Sequence, residues 1–296
     1  MVAPDSAQGM GNGAIKFLTF LLAVVLAWPL TARAGETDDI SPDIARILRR
    51  GTLIVAAYKT DMPPFFYVDD QGNLGGIDVD LATDIAKRLG VRLDYARLAD
   101  SFDQLPRLVA ERRADVAISY LSRTLRRAAQ VRFTQPYVRL RQTFLANRTK
   151  VAPFFHGGDD ISDLNNDAIE IGVERGSSYA DFAAERFPRA QIRQFDNNED
   201  ALSALLAGQL HGVMVDEGFS TMLNHPPAGV PRYRVPDDWA LYVKTIALSG
   251  ARDPIAMAVN RDDLTWAAWL DTFIADRQED GSLDRILARH LGGKPR

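Results

Sequence analysis

The stretch GTLIVAAYKTDMPPFFYVDDQGNLGGIDVDLATDIAKRLGVRLDY, residues 51–95, reads as strand, turn, helix and second strand in that order. Leu53, Ile54 and Val55 stand side by side in its first segment, which suits a strand covered on both faces. Phe65, Phe66, Tyr67 and Val68 lead into Asp70, Gln71, Gly72 and Asn73, a cluster of turn formers. With Asp69 in front, this cluster superficially suggests calcium, but it reads better as a hairpin turn. Val79, Leu81, Ile85, Ala86 and Leu89 then recur close to helical spacing, and Gly90 follows as a stop signal. Residues 91–95 return to strand.

The same alternation continues outward. Residues 105–111 read as a helix and residues 116–118 as a buried strand. A second series opens with a strand at 169–173 and a helix at 178–187. A short strand at 192–195, a helix at 199–206 and a strand at 213–215 complete it. Strands alternating with helices predict parallel sheets covered by helices. Two such series predict two α/β lobes, and ligands bind such sheets at the carboxyl ends of their strands.

Composition and charge narrow the function. The chain has 296 residues, 46% of them hydrophobic, and a formal net charge of −4. A mildly acidic chain is a poor partner for nucleic acid, whose affinity depends on neutralised phosphates. The absence of cysteine excludes disulfides, thiolate metal sites and cysteine nucleophiles. Lys16, an apolar run at 17–30 and the small residues Ala32 and Ala34 before Gly35 read as a signal peptide over residues 1–34. The apolar run is shorter than the roughly 20 residues that span a bilayer. A soluble protein exported to the periplasm is expected.

Two turns carry chemistry. In DVAISYLSRTLRRAAQVRFTQPY, residues 115–137, a buried strand passes into a polar turn with Ser119, Ser122 and Thr124. Thr124 takes the N-cap position before a helix at 125–129. Such a turn gathers unpaired N–H groups and the positive end of a helix, and Arg127 adds a planar fork matched to a carboxylate. Gly176, Ser177 and Ser178 open a second helix in the same manner. On the residues alone, Arg126 and Arg127 read equally as solvated helix charges, and Ser177 and Ser178 as plain caps. Catalytic patterns are thin. His156, His211, His225 and His290 are scattered without metal-ligand spacing, and there is no phosphate loop or GxSxG elbow. No metal and no cofactor are expected.

Five segments in order carry a resemblance. They are PPFFYVDDQGNLGGIDVDLATDIAKRLG (63–90), the turn segment ending FTQPY, IGVERGSSYADFA (171–183), ALLAGQLHGVMVDE (204–217) and LDTFIADRQEDGSLDRILARHL (270–291). Together they make the chain resemble periplasmic solute-binding proteins of the polar amino acid family, family 3, with the type II fold. The resemblance implies two doubly wound lobes joined by two hinge strands, with a ligand cleft between them. Lobe 1 falls at 41–146 and 259–296 and lobe 2 at 147–258, with residues 144–146 and 255–259 as crossovers.

The resemblance also implies roles. Arg127 falls on the arginine that holds the ligand α-carboxylate, Ser122 on its hydroxyl partner and Ser178 on the second-lobe donor, with Ser177 beside it. Asp216 falls on the acid that takes the α-ammonium, and Phe102 on the apolar wall. Lys59 and Met62 stand where the family often has an acid and an aromatic. Glu174 maps to a position that commonly faces the ligand side chain, and Tyr120 to one usually held by a small residue, where it either crowds the pocket or points away. Lys59 and Glu174 together imply a pocket with both signs of charge, and the sign of the ligand is left open. The implied function is capture of an amino acid-like zwitterion and delivery to an inner-membrane ABC permease by a monomer that is not an enzyme. Two alternatives stand beside it: a cyclohexadienyl dehydratase-like enzyme using Glu174 as general acid, and a sensory or accessory module.

Overall fold

Leu53, Val55, Ala56 and Ala57 are fully buried in the strand Thr52–Tyr58 (β1), as a strand covered on both faces requires. The computed structural model describes residues 39–155, 161–226 and 229–291; the proposed leader at 1–34, His156 and residues 292–296 lie outside them. A two-stranded hairpin, Tyr67–Val68 (β2) with Leu74–Gly75 (β3), follows β1, and the Asp69 carboxylate accepts the Gln71 and Asn73 backbone N–H groups across its tip. The acidic turn is thus held by its own backbone. Gly76 then starts the helix Ile77–Leu89 at φ +121°, where any Cβ would collide with the Phe65 carbonyl. Only glycine fits there. Gly90 ends the helix in the left-handed conformation expected of a C-cap.

The remaining strands are Arg92–Ala99 (β4), Val116–Ala117 (β5), Arg132–Asn147 (β6), Glu170–Glu174 (β7), Gln191–Phe195 (β8), Gly212–Asp216 (β9) and Val243–Val259 (β10). They join β1 in one eight-stranded sheet, ordered β4-β1-β5-β10-β6-β9-β7-β8. Each outer trio is parallel within itself, and each has the same arrangement of first, second and third strand. This is the two-lobed, doubly wound plan.

Separate parallel sheets are the expectation of the alternation, and here the structure differs. β6 and β10 run antiparallel to each other through the middle and pair outward with β9 and β5. At 16 and 17 residues they are long enough to serve both halves, which makes one continuous ladder. Their pairing breaks between Ala247 and Arg252 and resumes with Arg252 opposite Arg141, which puts Asp253 opposite Leu140.

Each half has its own core. Leu53, Val55, Ile77, Leu81 and Ile85 pack with Trp266, Leu270 and Phe273 from the helix Leu264–Glu279. Trp266 is fully buried, and its indole N–H donates to the Asp115 carbonyl at 3.0 Å, tying the last long helix to the start of β5. The other half builds its core from Ile171, Val173, Met214 and Phe187 on one face, and from Leu202, Leu205, Val213 and Val215 on the other. The carboxyl ends of β1, β5, β7 and β9 present Lys59, Ser119 to Ser122, Glu174 and Asp216.

Candidate functional site

Thr124 caps the short helix Leu125–Ala128, and its hydroxyl accepts from the Arg127 backbone N–H at 3.3 Å. That cap turns the Arg127 side chain inward, where it is 1% exposed. Its guanidinium is already occupied. Nε and Nη2 donate to Asp103 Oδ1 at 3.2 Å each, Nη1 to the Ser122 carbonyl at 3.0 Å, and Nη2 also to the Gly176 carbonyl of the other half at 3.0 Å. Burial pulls its pKa below the ordinary arginine value, and Asp103 opposes that. Arg127 does not line either cavity described below.

Those cavities lie at the carboxyl ends of the strands. The inner one is small, about 20 Å³, and its walls include Met62, Phe102, Tyr120 and Ser122 from the first half. Glu174, Ser177, Ser178 and Asp216 come from the second half. The outer one is about 340 Å³ and holds Lys59, Asp100, Arg175 and Asp196. Met62, Glu174 and Asn198 belong to both, so Glu174 stands at the junction. Eight of the residues singled out in the sequence therefore share the inner cavity, Lys59 faces the outer one, and Arg127 sits behind the wall.

Tyr120 crowds the pocket rather than pointing away. Its ring stacks on Phe65 at 4.0 Å between centroids, and its hydroxyl donates to Asp216 across the two halves. The residue is held at φ +52°, a left-handed conformation that costs a non-glycine residue energy. Asp78 compensates: fully buried, its carboxylate accepts from the Tyr120 backbone N–H at 2.7 Å and from the Tyr137 hydroxyl at 2.6 Å. Desolvation pushes Asp78 up to about 7 despite both donors. Gly218, beside Asp216, leaves room for this contact, since a Cβ there would press on Asp216 Oδ1 at 2.9 Å.

The three acids that line the inner cavity, Glu174, Asp216 and Asp253, are held towards their neutral forms. Asp216 caps the helix Glu217–Asn224, and its Oδ1 accepts from the Phe219 N–H at 3.0 Å. Burial raises its pKa, while the Tyr120 hydroxyl and the helix N–H groups pull the other way. Glu174 is 2% exposed and accepts from Asn198 Nδ2 at 2.9 Å and the Tyr58 hydroxyl at 3.4 Å. Burial first, and the Asp216 charge after it, push Glu174 up to about 8. The same desolvation, with Glu174 beside it, pushes Tyr58 up to about 12.

Ser178 Oγ donates to Ser122 Oγ at 2.8 Å, and Ser122 Oγ donates to Asp253 Oδ2 at 2.8 Å, a chain of hydroxyls across the cleft. Ser177 Oγ turns back to the Glu174 carbonyl at 2.7 Å. Lys59 and Glu174 are not partners: Lys59 pairs with Asp100 at the outer rim. Asp253, Tyr179, Tyr58 and Asn198 are site residues that the sequence reading missed. For Asp253 a signal existed, an acid before the proline that leads into the apolar crossover at 255–259. Tyr58 and Asn198 had only their places at a strand end and a helix start. Among the described residues no group of three or more His, Cys, Asp or Glu side chains is arranged to hold a metal ion.

The chain was compared with known proteins. Residues 54–293 match the family described as bacterial extracellular solute-binding proteins, family 3. The L-cystine-binding protein TcyJ of Escherichia coli strain K12 is 24% identical over 272 residues, 92% of this chain and 93% of that protein. Cyclohexadienyl dehydratase of Pseudomonas aeruginosa is 29% identical over 195 residues, 66% of this chain and 68% of that protein. A solved structure from Wolinella succinogenes, described as a binding component of an ABC transporter complexed with lysine, has a TM-score of 0.69 at 26% identity. It covers 83% of this chain and 97% of that one.

Proposed function

Because the chain belongs to family 3 of the bacterial extracellular solute-binding proteins, we propose that it captures an amino acid-like solute in the periplasm and delivers it to an inner-membrane ABC permease. The observation that carries this reading is the shared inner cavity, where Ser122 and Tyr120 of one half meet Ser178, Glu174 and Asp216 of the other. The relatives bind cystine and lysine, both α-amino acids. An apolar residue run at 17–30 followed by small residues fits export by a leader.

The two halves are bridged by the protein's own groups, and each of these groups is one that a part of a zwitterion would engage. When the halves part, Gly176 leaves Arg127 Nη2 and Ser178 leaves Ser122, so these donors become free for a carboxylate. Tyr120 leaves Asp216, which becomes free for an ammonium. The ligand docks on the first half, and reclosure brings Ser178 and Asp216 over it. Exchange of internal bonds for ligand bonds lets the closed form exist without a large desolvation debt on either side.

A thermal-shift screen with the twenty amino acids, opines and small dicarboxylates tests the reading, since a ligand that binds only the folded chain raises Tm with concentration. A rise with an amino acid supports it; no rise with any of them overturns it. One observation favours a second reading. Glu174, at the cavity junction and pushed up to about 8, carries a proton at neutral pH. That is what a general acid needs, and the dehydratase relative points to the same chemistry. Turnover of prephenate or arogenate by the purified protein, lost in Glu174→Gln, would establish it.

A further inference from the structure

The hydrogen bonds of the site leave one acceptor under-satisfied. Both carboxyl oxygens of Asp216 are engaged, by Phe219 N–H and the Tyr120 hydroxyl, and both of Glu174, by Tyr58 and Asn198. Asp253 differs. One oxygen accepts from Ser122, while Oδ1, in a side chain only 1% exposed, makes no well-formed hydrogen bond among the described residues. Asp253 lines the inner cavity, and so does Tyr179, whose buried hydroxyl is the donor beside it and is shared between Asp253 and Asp216. A buried acceptor left unmade costs free energy comparable to a lost hydrogen bond, so this position is kept for something.

The charge around it shows what that something is. Three carboxyls line the inner cavity, and no basic side chain among the described residues lines it. Arg127, the nearest guanidinium to influence Asp253, spends its donors on Asp103 and two carbonyls. In the outer cavity the basic side chains are answered locally, Lys59 by Asp100 and Arg175 by Asp196 at 3.3 Å. The surplus is acidic and it lies inside. A water molecule fits the roughly 20 Å³ and would satisfy the hydrogen bond, but it would not supply the positive charge that lets these buried acids ionise.

We propose that Asp253 is a specificity residue that reads a second cationic nitrogen of the ligand, so that the protein selects a solute with two such centres over neutral or acidic solutes of the same shape. This rests on the cleft being the ligand seat. Asp216 takes one nitrogen when Tyr120 moves off it. Asp253 Oδ1 takes the other, with the Tyr179 hydroxyl and Glu174 close around it. The hinge strand thereby contacts the ligand itself, so binding is read where the two halves join. A basic amino acid and a simple diamine share this chemistry, and they differ only in the carboxylate that Arg127 would hold.

The test is calorimetric titration at pH 7.5 of wild type and Asp253→Asn with L-lysine, L-arginine, cadaverine and L-norleucine, the neutral match for lysine. Wild type is expected to bind at least one dication about tenfold or more tightly than norleucine, and Asp253→Asn to lose about tenfold of that preference. Norleucine affinity is expected to change far less than that of the two-centre ligands, and ligand-free Tm to rise, because Asn keeps the Ser122 bond and the shape while removing a buried carboxyl pushed up to about 7. Lysine better than cadaverine places the carboxylate on Arg127; the reverse order says that only the amines are read. Preference for norleucine, or an unchanged preference in Asp253→Asn, overturns the inference while leaving amino acid capture intact. Binding of no probe by wild type overturns the seat and the inference together.

Discussion

Glu174→Gln separates the charge of Glu174 from its shape. The wild-type carboxyl is 2% exposed and pushed up to about 8 from an ordinary 4.5, first by burial. An acid whose pKa is higher folded than unfolded contributes stability that is full below the unfolded value and is lost as pH rises through the folded one. The window therefore runs from about 4.5 to about 8. At about 1.4 kcal/mol per unit the ceiling on the loss is on the order of 5 kcal/mol. Water entering the 340 Å³ outer cavity lowers that ceiling. Glutamine cannot ionise, and its amide can accept from Asn198 while donating to the Tyr58 hydroxyl. Thermal unfolding of ligand-free protein from pH 5 to 9.5 measures the difference. The two proteins are expected to melt within a few degrees at pH 5, and the variant to melt up to about 10 °C higher at pH 9. Parallel Tm–pH curves would refute the account of Glu174 as a buried acid held neutral.

Three further outcomes follow from other contacts. Tyr120→Phe removes the donor to Asp216, which costs the ligand-free closed form about 1–3 kcal/mol; scattering should then report a larger radius of gyration without ligand, and titration a tighter ligand, whereas weaker binding would show that the hydroxyl serves the bound state. Gly76→Ala forces a Cβ onto the Phe65 carbonyl at φ +121°, and urea unfolding should show a loss of about 3 kcal/mol or more; a loss below 1 kcal/mol would mean the turn relaxes freely. Binding of a cationic ligand must discharge protons from Asp253, pushed up to about 7, and from Glu174. Its affinity should therefore rise between about pH 6 and 8, with proton release visible as calorimetric heats that depend on the buffer; buffer-independent heats would contradict this.

Much of the scaffold was legible in the sequence because period and punctuation carried it. The apolar run of β1, the Gly90 stop and the Thr124 cap each appear where the pattern placed them. The single continuous sheet was not legible, because whether two crossover strands pair with each other and with both halves is a long-range matter with no local signature. The site divides in the same way. Ser122, Ser178, Glu174 and Asp216 lie at strand ends and helix starts, positions that turn chemistry marks. Asp253 lies in the middle of a strand, and its entry into the cavity depends on the register break before Arg252. Whether Tyr120 fills the pocket depended on Asp78, 42 residues away in sequence, which fixes its strained backbone.

A crystal structure with the tightest ligand from the screen tests the central claim most directly. The account predicts ligand density between the halves, with one nitrogen within hydrogen-bonding distance of Asp216, a second at Asp253 Oδ1, and the Tyr120 hydroxyl displaced from Asp216. A ligand seated elsewhere, with the Tyr120–Asp216 contact intact, would contradict it.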